Sequence, residues 1–269
     1  MPEAFLMQLA LAGYGLGAAC VAIGPRHGRP VWPIVAAALA AALALHTLAL
    51  ATRWSALGHG PFTTLHEILS SNLWSLALVV VLAAWAVRDV RPALSIALLP
   101  LAVLAIWLIA SDAGPGHMPP TYDTPLLYLH TLVGKIYLGL LLVAVALGAL
   151  PWLVATRWGE RLGVHAIPAS RSDELAHRFA AFAFVFDTLM LIVGAVWAQD
   201  AWGRYWAWDP LESWAFASWL ALAAALHART TFRPGPAVFG VMLAGVFVLA
   251  FLTFFGVPFV SVAPHKGAV

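Results

Sequence analysis

Residues Trp197–Trp219 read WAQDAWGRYWAWDPLESWAFASW and lie between two long apolar runs. These 23 residues contain six tryptophans, one tyrosine and four charged side chains. Tryptophan offers a large flat apolar face with a single N–H donor, and it favours the boundary between lipid and water. A few such rings suit a membrane belt, but six of them in a charged turn indicate a surface for a flat, partly polar ligand.

The composition indicates a membrane protein. Of 269 residues, 62% are hydrophobic and only 10% are charged, with a mean hydropathy of +0.89, whereas soluble domains contain about 25% charged residues. Lipid must therefore be the main solvent. The net charge of +2 is small and scattered, which excludes nucleic acid as a partner. The single cysteine, Cys20, lies in the first apolar run, so the chain has no disulfide framework and no CxxC motif.

Eight apolar windows are each long enough to cross the hydrocarbon core as a helix. They are Ala4–Ile23, Val31–Ala51, Leu65–Val87, Pro92–Ala110, Leu126–Val154, Phe179–Ala198, Ser213–Thr231 and Pro236–Phe255. Arginines concentrate in the loops after windows one, three, five and seven. Because positive residues collect on the cytoplasmic side, both termini and the tryptophan segment are predicted to face outward. The predicted fold is an all-α polytopic membrane protein of about eight transmembrane helices, with residues 1–269 forming one bundle.

Among the ten histidines, two are the strongest candidates for metal binding, because histidine is the usual axial ligand of haem iron. His130 lies in the first turns of the fifth window and His265 in the C-terminal tail, both on the predicted side of the tryptophan segment. A six-coordinate haem requires one ligand on each face of the iron. Solvated loop positions are expected for His27, His165 and His177, and a role for His117 stays open.

His227 lies 13 residues after Trp214, about 20 Å deeper along a helix, so it cannot bind the same iron as the outer pair. Either it caps the helix end near Arg229, or it belongs to a second, deeper ligand site. We prefer the second interpretation, because an ionisable residue inside a span is a functional candidate. Three further histidines are expected to be haem neighbours or packing residues: His46, His59 and His66.

Glu67 and Asp187 are acids in otherwise apolar surroundings. Either is expected to pair with Arg53 or to orient an imidazole, because a metal-bound histidine usually donates its other N–H to such a partner. Asp209, followed by Pro210 and Glu212, predicts a helix N-terminus with Asp209 as its N-cap. The N-cap role of Asp209 is compatible with an additional role in the chemistry of the site.

The segment Trp202–Trp214, WGRYWAWDPLESW, resembles the tryptophan-rich WWD signature of haem-handling proteins, in the WGxYWxWDPxExW form of the CcsA (ResC) family. The DPxExW ending favours CcsA over the System I relatives CcmC and CcmF, which share a WWD segment. Gly194–Ala198 and His227–Arg229 flank the signature as in CcsA, and the region from His46 to Glu67 is also similar. The resemblance covers most of the chain. Lys135 departs from the family pattern.

The resemblance implies a System II cytochrome c biogenesis protein in the bacterial cytoplasmic membrane, with its haem site facing the periplasm. It implies that haem b is bound by His130 and His265 as axial ligands. It likewise implies that His227 is one ligand of an intramembrane site whose other ligand comes from CcsB (ResB). The residues expected around the haem are Trp202, Tyr205, Trp206, Trp208, Asp209 and Trp214, with His46, His59, Arg53 and Glu67 as weaker candidates.

The partners implied by this resemblance are CcsB, apocytochrome c with its CxxCH motif, thiol-reducing thioredoxin-like proteins and the lipid bilayer. The chain is then the membrane component of a holocytochrome c synthase, or haem lyase, complex. Two alternatives remain: a CcmC-type haem exporter or chaperone without synthase activity, and a cytochrome b-like electron carrier. An electron carrier holds its haem between histidines on facing helices, whereas the outer pair here comes from a helix end and a tail, which suits a loading site better.

Overall fold

A computed structural model describes residues 3–23, 32–157, 159 and 167–261. The described part of the chain is helical and contains no β-strand. Its long helices are α1 (Glu3–Ile23), α2 (Trp32–Leu57), α3 (Leu65–Ala86), α4 (Leu94–Ala110), α5 (Pro125–Val154), α6 (Ala169–Trp202), α7 (Pro210–Thr231) and α8 (Pro236–Phe255). A 3-10 helix (Arg88–Ala93) precedes α4, and a short helix α9 (Val257–Val260) follows α8.

Seven of these helices are long and apolar enough to cross a membrane. The prediction of an all-α polytopic membrane protein is therefore confirmed. The helix outside that set is α7, which has 22 residues but carries Glu212 in its first turn and Arg229 in its last. All eight predicted windows coincide with helices, and the largest difference is in α6, which begins at Ala169 rather than at Phe179 and has 34 residues.

Helix α5 is the centre of the bundle, packing against α3, α4, α6 and α8. Its backbone approaches that of α8 closely, since a Cβ added at Gly240 would lie 2.4 Å from the carbonyl oxygen of Gly148. Small residues let helix backbones approach closely where lipid provides no hydrophobic driving force. By contrast, α6 turns a stripe of apolar side chains away from the bundle, at Phe182, Val185, Leu189, Ile192 and Val196. This stripe is suited to contact with lipid.

The two ends of the bundle differ in character. At the tryptophan end, defined by loops 58–64, 111–124 and 203–209, Arg53 Nη1 donates to Glu3 Oε1 (3.2 Å) and to the carbonyl oxygen of Ala113 (3.2 Å). At the opposite end, called here the arginine end, Arg171 Nε donates to Asp89 Oδ2 (2.8 Å) and Arg229 pairs with Asp173. Described residues of the connections predicted after windows three, five and seven thus meet at one end.

Candidate functional site: a cavity beside the tryptophan segment

The tryptophan segment is a tight turn between α6 and α7. Helix α6 ends at Trp202 because Gly203 adopts a left-handed conformation (φ +73°) as its C-cap. Asp209 then accepts a hydrogen bond from the Glu212 amide (2.9 Å), and Glu212 Oε2 accepts from the amides of Asp209 (3.2 Å) and Ala207 (2.7 Å). This reciprocal arrangement is a capping box. The prediction that Asp209 is the N-cap is confirmed.

Within this turn, Trp208 has a positive φ of 58°. A bulky residue rarely adopts this conformation, and it persists only where the surroundings impose it. The Trp208 indole is 67% exposed and lies edge-on to the Trp206 ring, with 5.6 Å between centroids. The strained backbone therefore holds one indole out at the surface while its neighbour turns inward.

A cavity opens beside this turn and extends between α3, α5 and α6. Its empty space, the open mouth and the solvent in it included, is about 1360 Å³. Apolar groups form most of its walls. Residues of α7, α8, α9 and the loop 111–124 complete the lining, including Met118, Tyr122, Glu212, Thr253, Phe254 and Pro258.

His130 lines this cavity from the first turns of α5. Its Nδ1 lies 3.0 Å from the carbonyl oxygen of Met190 on α6. A carbonyl only accepts hydrogen bonds, so Nδ1 must donate, and in the neutral ring Nε2 then carries the lone pair. Metal-ligating histidines are oriented in this way by a hydrogen bond from their other nitrogen. The ring stacks on the Trp197 indole at 6.0 Å, with an interplanar angle of 13°.

Trp197 connects His130 to the loop 111–124. Its buried indole contacts the Tyr122 ring edge-on at 5.2 Å and the Trp202 ring at 4.8 Å. Burial raises the pKa of the Tyr122 phenol, and Asp209 adds to the increase. Tyr122 therefore stays neutral at physiological pH and acts as an aromatic wall of the cavity with a polar tip.

The cavity also has a polar part. Lys135 Nζ donates to Ser71 Oγ at 2.6 Å, and both residues line the cavity. Two further lining atoms are buried without a hydrogen-bond partner among the described residues: Asn72 Oδ1 and Trp206 Nε1. A ligand with both polar and apolar parts would suit these walls.

The predicted haem-site residues divide into two groups. His130, Tyr205 and Trp206 line the cavity, and Trp202 supports its wall through Tyr122 and Trp197. The side chains that lie outside the lining are Trp208, Asp209 and Trp214. Trp214 is partly exposed on α7. His265 lies outside the described residues, although Pro258, which lines the cavity, precedes it by seven positions.

Arg53 and Glu67 form a buried ion pair, with 3.0 Å between Arg53 Nε and Glu67 Oε1. Glu67 Oε2 also accepts hydrogen bonds from the amide and hydroxyl of Thr63, which lines the cavity. The predicted pairing of Glu67 with Arg53 is confirmed, and neither of the two lines the cavity. The pair instead joins α2, α3 and the loops of the tryptophan end.

His46 and His59 are buried away from the cavity. His46 lies within hydrogen-bonding distance of Tyr14 Oη (3.2 Å) and Ser70 Oγ (3.0 Å), so both ring nitrogens are engaged in packing α1, α2 and α3. His59 Nδ1 lies 2.9 Å from the Gly60 carbonyl oxygen. We therefore leave both residues out of the proposed ligand set.

His227 is exposed on α7, near the arginine end. The exposed positions of this helix repeat every three or four residues, as one continuous face, at Trp214, Ala217, Leu220, Ala224 and His227. Within the described chain this histidine does not line the cavity that contains His130. A ligand role for His227 thus requires a second surface against this face.

Lys135, Gly194 and Met190 are site residues whose function could not be predicted from the sequence. Lys135 was visible only as a departure from a family pattern, and its partner Ser71 is 64 residues away. The Met190 acceptor is a backbone carbonyl, and a pattern of side chains does not indicate which carbonyl binds His130. Gly194 stands out only once the His130 ring is found against it.

Comparison with known proteins gives consistent results. A family model described as "Cytochrome C assembly protein" matches residues 36–265. The chain is 30% identical to "Cytochrome c biogenesis protein CcsA" of Prochlorococcus marinus strain SARG, over 87% of this chain and 83% of that protein. The CcsA of Prochlorococcus marinus strain MIT 9301 is 29% identical, over 82% of this chain and 80% of its own length.

Among solved structures, "Cytochrome c Heme Lyase CcmF" has a similar fold, with a TM-score of 0.66 and 19% identity. The similarity covers 95% of this chain but 47% of the CcmF chain. The chain thus spans about half of the length of that protein, and at this identity the similarity concerns the fold alone.

Proposed function

Because the chain belongs to the CcsA family of cytochrome c assembly proteins, we propose that it binds haem b in the cavity beside the tryptophan segment and presents it to apocytochrome c. The observation that carries this proposal is His130, which lines an apolar, aromatic-walled cavity with its Nδ1 held by the Met190 carbonyl. That arrangement prepares Nε2 as an axial ligand.

The second axial ligand proposed is His265. The cavity lining includes Pro258, and the described chain ends three residues later at Ser261. His265 is the fourth residue after Ser261, so the two Cα atoms are at most about 14 Å apart.

In this proposal haem supplies the chemistry, since its vinyl groups form thioether bonds with the two thiols of CxxCH. The residues of the chain bind the haem, orient it and shield it from water. Trp197 and Tyr122 form the wall behind His130, and Tyr205 and Trp206 form the side nearest the turn. Holding the reacting groups together is the main contribution of the protein. Reduced thiols at the site require a thiol-reducing partner of the thioredoxin-like class.

The proposed orientation places the tryptophan end in the periplasm and the arginine end in the cytoplasm. It is supported by the ion pairs of Arg171 and Arg229 at the same end of the bundle and by the excess of positive charge on the cytoplasmic side of membrane proteins. In this orientation His227 lies near the cytoplasmic side. We assign it to a deeper haem site shared with CcsB, from which haem moves to the outer cavity.

The test is purification of the chain with CcsB, followed by measurement of bound haem and of cytochrome c synthesis. His130→Ala and His265→Ala are each expected to abolish synthesis, and added imidazole is expected to restore part of it. His117→Ala is the matched control, because His117 is an exposed histidine in a loop of the same end and does not line the cavity. Full synthesis in the absence of either outer histidine would contradict the ligand assignment.

The same preparation separates the two alternatives. An electron carrier retains stoichiometric haem, whereas a handling protein is purified with variable occupancy. An exporter without synthase activity continues to export haem when the outer histidines are removed. Stoichiometric haem that resists exchange would therefore favour the electron carrier over the proposed function.

A further inference from the structure

Lys135 is a buried lysine in the wall of the cavity. Its side chain belongs to the central helix α5, and the residue is only 9% exposed. Nζ donates to Ser71 Oγ at 2.6 Å and lies 5.7 Å from the centroid of the Phe62 ring. No carboxylate of the described residues forms an ion pair with it. A charge buried without a counter-charge is costly, and such a residue inside a membrane span is a functional candidate.

Its existing partners do not exhaust its hydrogen-bonding capacity. An ammonium group has three N–H donors, and Ser71 accepts one of them. The Ser71 hydroxyl is itself directed at the carbonyl oxygens of Pro61 (3.2 Å) and Ile68 (3.3 Å), so it acts towards Lys135 as an acceptor. Both Ser71 and Phe62 line the cavity together with Lys135. Two donors thus remain for a group that enters the cavity.

We propose that Lys135 binds a carboxylate of the cavity ligand, namely a propionate of haem. This inference rests on the proposed function. Among the described lining residues Lys135 is the one lysine or arginine, and the other walls are mostly apolar. Haem has the matching chemistry: an apolar ring with two carboxylates on one edge. A charge-assisted hydrogen bond in a water-poor cavity is stronger than a neutral one.

This contact also fixes which edge of the ring faces outward. Lys135 follows His130 by five residues, about 7.5 Å further along α5 from its start at the tryptophan end. Tyr205, which belongs to the tryptophan segment and also lines the cavity, is 61% exposed. With the propionate edge held at Lys135, the opposite edge, which carries the vinyl groups, faces the tryptophan segment. That is the edge that has to meet the thiols of CxxCH.

The experiment compares two ligands that differ only in the carboxylates: iron protoporphyrin IX and its dimethyl ester. The full chain, purified with CcsB from cells limited in haem synthesis, is titrated with each ligand in detergent micelles. Binding is followed by the Soret band of the histidine-ligated iron and by quenching of tryptophan fluorescence. Wild type, Lys135→Met and Lys135→Arg are compared.

Wild type is expected to bind haem about tenfold or more tightly than the dimethyl ester, because an ion-paired hydrogen bond is lost with the ester. Lys135→Met is expected to bind both ligands with equal, weaker affinity and an unchanged Soret position, and Lys135→Arg to keep the preference for haem. Equal affinities of wild type for the two ligands would overturn the role of Lys135 and leave the proposed function intact. Failure of wild type to bind either ligand would overturn the proposed function itself.

Discussion

The imidazole of His130 lies against Gly194 of α6 so closely that no side chain fits between them. A Cβ added at Gly194 would come within 2.7 Å of His130 Cε1 and 2.8 Å of Nδ1. The same Nδ1 lies 3.0 Å from the Met190 carbonyl, one turn earlier on α6. Gly194 thus admits the ring to α6, and Met190 fixes its rotation. The glycine is a positioning residue for the proposed axial ligand.

Substitution Gly194→Ala is therefore expected to displace His130 and to weaken haem binding by about 10–100-fold, the range found when outer-shell partners of metal-ligating histidines are changed. The measurement is the haem content and the Soret spectrum of the purified protein. Gly245→Ala in α8 is the matched control, because a Cβ there meets no atom within 4 Å. Unchanged haem content in Gly194→Ala would show that haem binding does not depend on the present position of the His130 ring.

The buried ion pair between Arg53 and Glu67 gives a prediction about stability. The side chains of Arg53 and Glu67 are 7% and 0% exposed, so removal of one partner leaves a buried charge. Arg53→Met leaves the buried Glu67 without its counter-charge and is expected to destabilise the protein by about 3–5 kcal/mol, measured as thermal unfolding in detergent. Glu67→Gln is expected to cost less, because Arg53 keeps its ion pair with Glu3. The double variant should lose less stability than the two single variants lose together, because the two residues interact.

An exposed ion pair supplies the control for this prediction. Arg171 and Asp89 have side chains that are 39% and 41% exposed, and exposed ion pairs of this kind contribute little to stability. Arg171→Met is therefore expected to shift the thermal unfolding temperature only slightly. If Arg53→Met were no more destabilising than Arg171→Met, the network that joins the N-terminal helices to the loop 111–124 would not support the tryptophan end.

The sequence predicted the helices well because apolar length is a property of each segment alone. The start of α6 was the exception. Seven of its first ten residues are polar or charged. Their helical state depends on contacts with other elements, such as the hydrogen bond of Ser172 Oγ to the Leu147 carbonyl oxygen (2.6 Å) and the pairing of Asp173 with Arg229. A hydropathy window cannot detect such contacts, so the predicted start was ten residues late.

The site was predicted less completely, since its residues come from distant parts of the chain. His130 and Trp206 were identified from their residue type and motif, and both line the cavity. Trp214 belongs to the same motif but lies on the exposed face of α7. The direction in which each indole ring points is set by the left-handed backbone of Gly203 and Trp208 and by the start of α7. Nothing in the tryptophan pattern specifies that backbone.

The capping box of α7 gives a third prediction. Asp209→Ala removes the acceptor of the Glu212 amide and is expected to cost about 1 kcal/mol in thermal unfolding. Asp209→Asn keeps an N-cap acceptor and is expected to unfold close to wild type and to retain haem, because Asp209 does not line the cavity. Loss of haem in Asp209→Asn, with stability unchanged, would show that the negative charge acts on the ligand rather than on the helix.

The exposed position of His227 gives the last prediction, which concerns the partner. Its ring makes an edge-on contact with Phe232 at 6.3 Å and no hydrogen bond within the described chain, so His227→Ala is expected to change unfolding of the isolated chain by less than about 0.5 kcal/mol. In the complex with CcsB the same variant is expected to lower the haem that reaches the outer cavity, measured by the haem content of the complex. Leu220→Ala, two helical turns away on the same exposed face of α7, controls for loss of packing against the partner. Equal haem in the His227→Ala and wild-type complexes would reject a shared inner site and require another path into the cavity.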